Sequence, residues 1–317
     1  EADLVLGIGT RFQDFTTGSW GLFANPSRRI ACLNVAAYDA AKHSALPLVA
    51  DARVGMAELS QALGHHKSAA GIDGLKAQWF ATVDPLTDAP AGNALPTDMQ
   101  VVGAVQRAGG PETVVMCAAG TMPGELHKLW KSTRPMSYHM EYGFSCMGYE
   151  IAGAMGIKMA QPERDVICFT GDGTYMMANS EMATAAMMGI SFTVVVTDNR
   201  GYGCINRLQM GTGGAEFNNL LDHTVHQTPS AIDFAAHAAS MGATSVKVTS
   251  IAALEEALAK RGDITGPYVI VIDTDPYPST PDGGTWWDVG VPEVSVRPEV
   301  NAARAAYETR KSKQRAD

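Results

Sequence analysis

The residues best suited to chemistry lie in two short clusters, Gly171-Asp172-Gly173-Thr174 and Asp198-Asn199-Arg200-Gly201-Tyr202. Glycines at 171 and 173 remove Cβ atoms, so the backbone can approach a bulky anion and aim its amides at it. A carboxylate among such amides makes sense only if a cation sits between it and the anion. Asp172, the side-chain oxygen of Asn199 and a nearby backbone carbonyl are hard oxygen ligands. Two phosphate oxygens and a water would complete the octahedron that Mg2+ demands. The expectation is a metal-bridged diphosphate. Either turn alone is common; the specificity lies in finding both, each at the end of an apolar run and one helix apart.

The clusters can meet only if those runs are strands. "DVICFTGDG" and "SFTVVVTDN" read as buried strands around the helix "SEMATAAMM". Strand–helix–strand crossovers are nearly always right-handed and leave both strands pointing the same way. As neighbours, they would set Asp172 and Asn199 side by side at the carboxyl edge, where open α/β sheets bind ligands.

The flanking sequence repeats this alternation. "TDMQVVGAVQRAGG" reads as a helix with Thr97 as N-cap and Gly109-Gly110 as its stop, and "ETVVMCAAG" as a buried strand. "MGYEIAGAMGIKMA" is a helix rich in small residues and fit for close packing. Ser230, three residues before Asp233, opens another in a capping-box pattern. "TSIAALEEALAKRG" is a helix with a basic end, and "YVIVIDTD" a last strand. The fold class is therefore α/β, with a doubly wound, mostly parallel sheet. Before it, residues 1–64 read as the end of a second α/β domain: strands at Leu4-Val5-Leu6 and "RRIACLNV", then a helix closed by Gly64. Residues 65–95, broken by Gly and Pro, read as a linker with a short amphipathic piece around Leu75 to Phe80. The 209–229 stretch is Gly-rich and reads as a mobile lid. The tail from Pro276 carries Trp286-Trp287, which are expected to pack it down, and ends in a polar helix.

Composition narrows the classes. The 317 residues are 46% hydrophobic and 18% charged, ordinary for a globular protein. A formal charge of −9 argues against a nucleic-acid surface. No apolar run approaches the ~20 residues of a membrane helix. Five scattered cysteines with no C-x-x-C pair favour reduced thiols in a cytoplasmic compartment. Gly7-Ile8-Gly9 suggests a dinucleotide fingerprint, but Phe12 stands where the third glycine should open the helix, so NAD binding is rejected.

Gly171-Asp172-Gly173, followed one helix later by Asn199, resembles the cofactor signature of thiamine-diphosphate-dependent enzymes. The resemblance implies Mg2+ held by the side chains of Asp172 and Asn199 and the carbonyl of Gly201. Many members have Asn-Asn at the second cluster; here Asp198 takes the position that is not the ligand. "CAAGTMPGEL" occupies the place of the strand-end loop that wraps the diphosphate, implicating Gly120, Thr121 and Met122. "EYGFSCMGYEIAGAMG" resembles the segment before the phosphate-facing helix, and Met147 matches the large apolar residue that props thiamine in its bent form. Gly171, Gly173, Thr174 and Tyr202 complete the implied cofactor set. By the same resemblance residues 1–64 are the last part of a central domain, 96–278 the diphosphate- and Mg2+-binding domain, and 279–317 a tail.

The tail and the loop after Asn199 look closest to a branch that hydrolyses a C–C bond of a cyclic diketone. An acetolactate-synthase-like carboligase acting on pyruvate and a non-catalytic assembly domain are the alternatives. The family activates thiamine with a glutamate on an N-terminal pyrimidine-binding domain of the same or a neighbouring subunit. That implies a homodimer or homotetramer and leaves the catalytic residue of this chain unknown. Glu141, Glu150 and Glu181 all lie in the diphosphate half and are not assigned that role. The chain opens on Glu1, without Met, and reads as a piece of a longer enzyme that is inactive alone. His139, His223 and His226 read as structural or loop histidines, and Arg200 and Arg207 as surface arginines within reach of phosphate or substrate hydroxyls.

Overall fold

The computed structural model describes residues 2–23, 25–66, 72–90, 92, 94–228, 230–281 and 288–314. Trp286 and Trp287, expected to hold the tail, lie outside the described residues. The chain divides into two units, residues 1–74 with 211–214 and 282–317, and residues 75–210 with 215–281.

In the first unit, β1 (Leu4–Ile8), α1 (Asp14–Thr17), β2 (Arg29–Asn34), α2 (Ala37–Ala41), β3 (Leu46–Val49) and α3 (Ala52–Leu63) build a three-stranded parallel sheet in the order β1-β2-β3. Asp51 caps α3 by accepting the N–H groups of Arg53 and Val54, and Gly64 closes it at φ 57°. β3 escapes a sequence reading because it is a four-residue edge strand containing Pro47, with every residue exposed. The ring of buried Phe12 fills the space over Gly7, where a Cβ would stand 2.5 Å from it. The Gly-Ile-Gly turn thus accommodates an aromatic ring of its own chain.

In the second unit, which starts at Leu75, the expected amphipathic piece is part of α4 (Ile72–Val83), a helix longer than expected that takes up much of the linker; its Trp79, Phe80 and Val83 join the core. α5 (Asp98–Ala108) opens in a full capping box between Thr97 and Gln100 and stops at Gly109. There follow β4 (Thr113–Cys117), α6 (Thr121–Leu129), β5 (Tyr138–Met140), α7 (Tyr149–Ala160), β6 (Asp165–Gly171), α8 (Asp172–Met177), α9 (Glu181–Met188), β7 (Thr193–Asp198), α10 (Gly203–Gly211), α11 (Phe234–Ser240), β8 (Thr244–Val248), α12 (Ile251–Ala259) and β9 (Tyr268–Asp273). The six strands are all parallel, in the order β5-β4-β6-β7-β9-β8.

The apolar runs of β4, β6, β7 and β9 are buried on both faces, as helix-covered parallel strands must be. Phe169, Val195 and Ile270 meet α5, α6 and α12 on one side. Cys168, Val194 and Val269 meet α7, α9 and α11 on the other. Small residues in α7 serve close packing: a Cβ on Gly153 would stand 2.7 Å from the Met116 methyl of β4. The helix after Ile232 starts later than expected. Asp233, not Ser230, caps α11 by accepting the Ala236 N–H, because an aspartate next to the first turn is itself a strong cap. The C-terminal helix α13 (Pro298–Lys311) belongs to the first unit, and Gln314 just beyond it donates to the Ser19 carbonyl at 3.0 Å.

The sheet order supplies a switch point. The chain leaves β4 towards β5 on one side and leaves β6 towards β7 on the other. The carboxyl ends of β4 and β6, neighbours in the sheet, therefore flank the crevice where such folds bind ligands.

Candidate functional site

β6 and β7 pair directly, with Gly171 opposite Thr197. Asp172 thus follows one strand end and Asn199 the next. Both side chains are buried, at 6% and 7% exposure, and each keeps a buried oxygen, Oδ1, without a hydrogen-bond partner. Two buried oxygen acceptors at adjoining strand ends that no protein donor satisfies are unfavourable unless something electropositive meets them. Burial pushes the Asp172 carboxyl up to about 7, and nearby Asp198 adds to the push; the backbone amides of Gly173 and Gly201 oppose it. The Gly201 amide belongs to the β7 loop, so the two strand ends already converge on this carboxylate.

The β7 loop is tightly braced. Arg200 turns left-handed at φ 63° and donates its N–H to Asp198 Oδ1 at 3.0 Å. Gly201 sits at φ 146°, and a Cβ there would meet the Asn219 carbonyl at 2.4 Å. Tyr202 N donates to that carbonyl at 2.7 Å, and Leu221 N to the Arg200 carbonyl at 2.8 Å. The stretch read as a mobile lid therefore begins inside α10 and then pins the loop through Asn219–Leu221. His223 pairs with Glu216 at 3.4 Å and His226 with the Leu221 carbonyl at 2.7 Å, so both histidines brace this segment.

Of the first-loop residues, Gly120 takes φ 87° as N-cap of α6, and Thr121 opens that helix. The expected wrapping loop is therefore short, because Thr121 onward is helical. Met122 does not offer its side chain to the crevice: it is 3% exposed and part of the core beneath α6, leaving only its backbone in the helix's first turn. Thr174 is buried in α8. Tyr202 lays its ring beside Gly173, where a Cβ would stand 2.7 Å away. Met147 is half-buried in the turn before α7, next to Gly148 at φ 95°.

Two residues matter more than their sequence context suggested. Arg207 of α10 donates to Thr121 Oγ1 at 2.9 Å and to the Pro276 carbonyl, so it spans three carboxyl-edge segments. Glu150 of α7 is 1% exposed and accepts the N–H groups of Ala119 and Gly148, at 3.1 and 2.9 Å. No motif marks either residue, since their partners are backbone groups and a hydroxyl far away in sequence. His139 lies in edge strand β5 with Nε2 buried and unpartnered. Among the described residues no three His, Cys, Asp or Glu side chains converge as a metal cluster, and no helix is long and apolar enough to cross a membrane.

Comparison with known proteins gives these residues a family context. Residues 118–272 match the family described as thiamine pyrophosphate enzyme, C-terminal TPP binding domain. The chain is 37% identical to 3D-(3,5/4)-trihydroxycyclohexane-1,2-dione hydrolase 2 of Bacillus cereus (strain ZK / E33L), over 98% of this chain and 53% of that protein. It is 36% identical to the 3D-(3,5/4)-trihydroxycyclohexane-1,2-dione hydrolase of Geobacillus thermodenitrificans (strain NG80-2), over 96% of this chain and 52% of that protein. The chain thus spans about half the length of the curated relatives it matches.

Proposed function

We propose that this chain, whose residues 118–272 match the family described as thiamine pyrophosphate enzyme, C-terminal TPP binding domain, grips the diphosphate of thiamine diphosphate through Mg2+. The metal ligands are Asp172, Asn199 and the Gly201 carbonyl. The observation that carries this reading is the pair of buried, unpartnered oxygens on Asp172 and Asn199 at adjoining strand ends. The donor set, one carboxylate with one amide and one carbonyl oxygen, fits Mg2+ but leaves half its octahedron to the diphosphate and water. Metal and cofactor should therefore bind together rather than singly. The amides around Gly120–Thr121 and Gly171–Thr174 cradle the diphosphate, Tyr202 and Gly173 shape the loop between them, and Met147 supports the thiazolium.

For the whole protein we infer hydrolysis of trihydroxycyclohexane-1,2-dione, the substrate named in its relatives, at a C–C bond. Cleavage between the two carbonyl carbons with one water leaves one as a carboxylate and the other as an aldehyde, which is 5-deoxy-glucuronate, a step in myo-inositol degradation. Bound thiamine diphosphate supplies the carbon nucleophile and electron sink that such a cleavage needs. The residues of this chain bind and orient the cofactor. The activating glutamate is assigned to a pyrimidine-binding domain of the same or a neighbouring subunit, in a cytoplasmic homodimer or homotetramer.

Titration calorimetry of the intact protein with thiamine diphosphate and Mg2+ tests the site. Wild type should bind only when both are present, and Asp172→Ala should abolish the metal-dependent affinity. Retained affinity in Asp172→Ala would refute the assigned site. Consumption of pyruvate with no turnover of the cyclic dione would replace the hydrolase with a carboligase.

A further inference from the structure

We propose that Glu150 is a positioning residue that sets the distance between the β4–α6 turn and the turn at Met147. Its carboxylate is 1% exposed, yet it forms no ion pair among the described residues. Oε2 accepts the Gly148 N–H at 2.9 Å and Oε1 the Ala119 N–H at 3.1 Å. The first bond resembles an ordinary helix cap, since Glu150 lies in the first turn of α7 and the helix N-terminus favours its charge. The second bond is not needed by the helix. It reaches across to the residue just before Gly120, at the carboxyl end of β4.

Two donors on separate segments require two acceptors. A glutamine would offer one and turn its NH2 towards the other N–H. The turn at Gly148 has little freedom to move elsewhere, because a Cβ on Gly148 would stand 2.8 Å from Ala178 Cβ, just past the end of α8. Glu150 on one side and Ala178 on the other thus fix where Met147 stands relative to Gly120 and Thr121. This rests on the function proposed above, in which Gly120–Thr121 meets the diphosphate and Met147 the thiazolium. Glu150 then acts as a spacer between the two contacts of one cofactor.

The test compares two ligands in the intact protein. Inorganic pyrophosphate with Mg2+ needs only the diphosphate contacts, whereas thiamine diphosphate with Mg2+ needs the spacing as well. Glu150→Gln should weaken thiamine diphosphate about tenfold or more, the scale of one charge-assisted bond, and leave pyrophosphate within about threefold. Glu150→Asp keeps the charge but shortens the reach by one methylene. It should reproduce the selective loss, and it carries the comparison if Glu150→Gln does not fold. Equal losses for both ligands, or no loss for either, would overturn the spacer role. Wild type binding neither ligand would instead overturn the parent reading, and is recognisable before any variant is made.

Discussion

Tyr202 rests its ring over Gly173, so that a Cβ on Gly173 would stand 2.7 Å from the ring edge. The contact joins the loop after β7 to the first turn of α8 and locks together the two clusters that carry Asp172 and Asn199. Gly173→Ala must therefore displace the ring, which is 42% exposed and can swing outwards. The melting temperature should move by no more than a few degrees, the usual scale for a surface-side change of under about 1 kcal/mol. Cofactor affinity should fall severalfold, because the loop bearing Asn199 and Gly201 loses its stop. Unchanged calorimetric affinity would mean that the ring has no part in holding the loop.

Arg207 clasps Thr121 Oγ1 and the Pro276 carbonyl with one guanidinium. Arg207→Gln removes that bridge and should weaken thiamine diphosphate binding by about tenfold, within the range for bonds to a charged group. Arg207→Lys should recover only part of it, since an ammonium cannot serve both acceptors with the fork geometry of a guanidinium. Full recovery by lysine would show that only the charge matters.

Asp98, in the first turn of α5, is 1% exposed, with the Thr274 hydroxyl as its hydrogen-bonding neighbour. Burial raises its pKa to about 6, against the pull of the Arg207 guanidinium. The folded pKa exceeds the unfolded one, so folding favours the protonated form. Between about pH 4 and 6 the unfolded chain binds fewer protons at this residue, and stability falls as pH rises, by up to about 3 kcal/mol. Above that window the cost is constant. Asp98→Asn should flatten this part of the stability profile in denaturant titrations at successive pH values. A slope identical to wild type between pH 4 and 6 would show that Asp98 does not carry the effect.

Much of the second unit was legible because its central strands are apolar and buried on both faces. Such runs, alternating with helices, leave few topologies open. The same reasoning paired Asp172 with Asn199, since a single right-handed crossover between adjacent strands needs no distant information. β5 and β8 were not legible. β5 is three residues long, and β8 is a half-exposed edge strand whose pattern is weaker than that of its central neighbours. Met122 was placed at the cofactor by its position after Gly120, but the helix that begins at Thr121 turns its side chain into the core.

The sequence by itself determined the α/β class, the two strand ends and the donor types found there, because local periodicity and side-chain chemistry are properties of short stretches. Only the tertiary structure decided the strand order, and with it the switch point between β4 and β6. It also decided that Asn219–Leu221 braces the Gly201 loop, that Arg207 reaches Thr121, and that Glu150 ties Ala119 to Gly148. Each of these joins backbone groups or side chains from different segments. Backbone groups are the same at every residue, so nothing in the sequence marks which will be paired until the fold brings them within bonding distance.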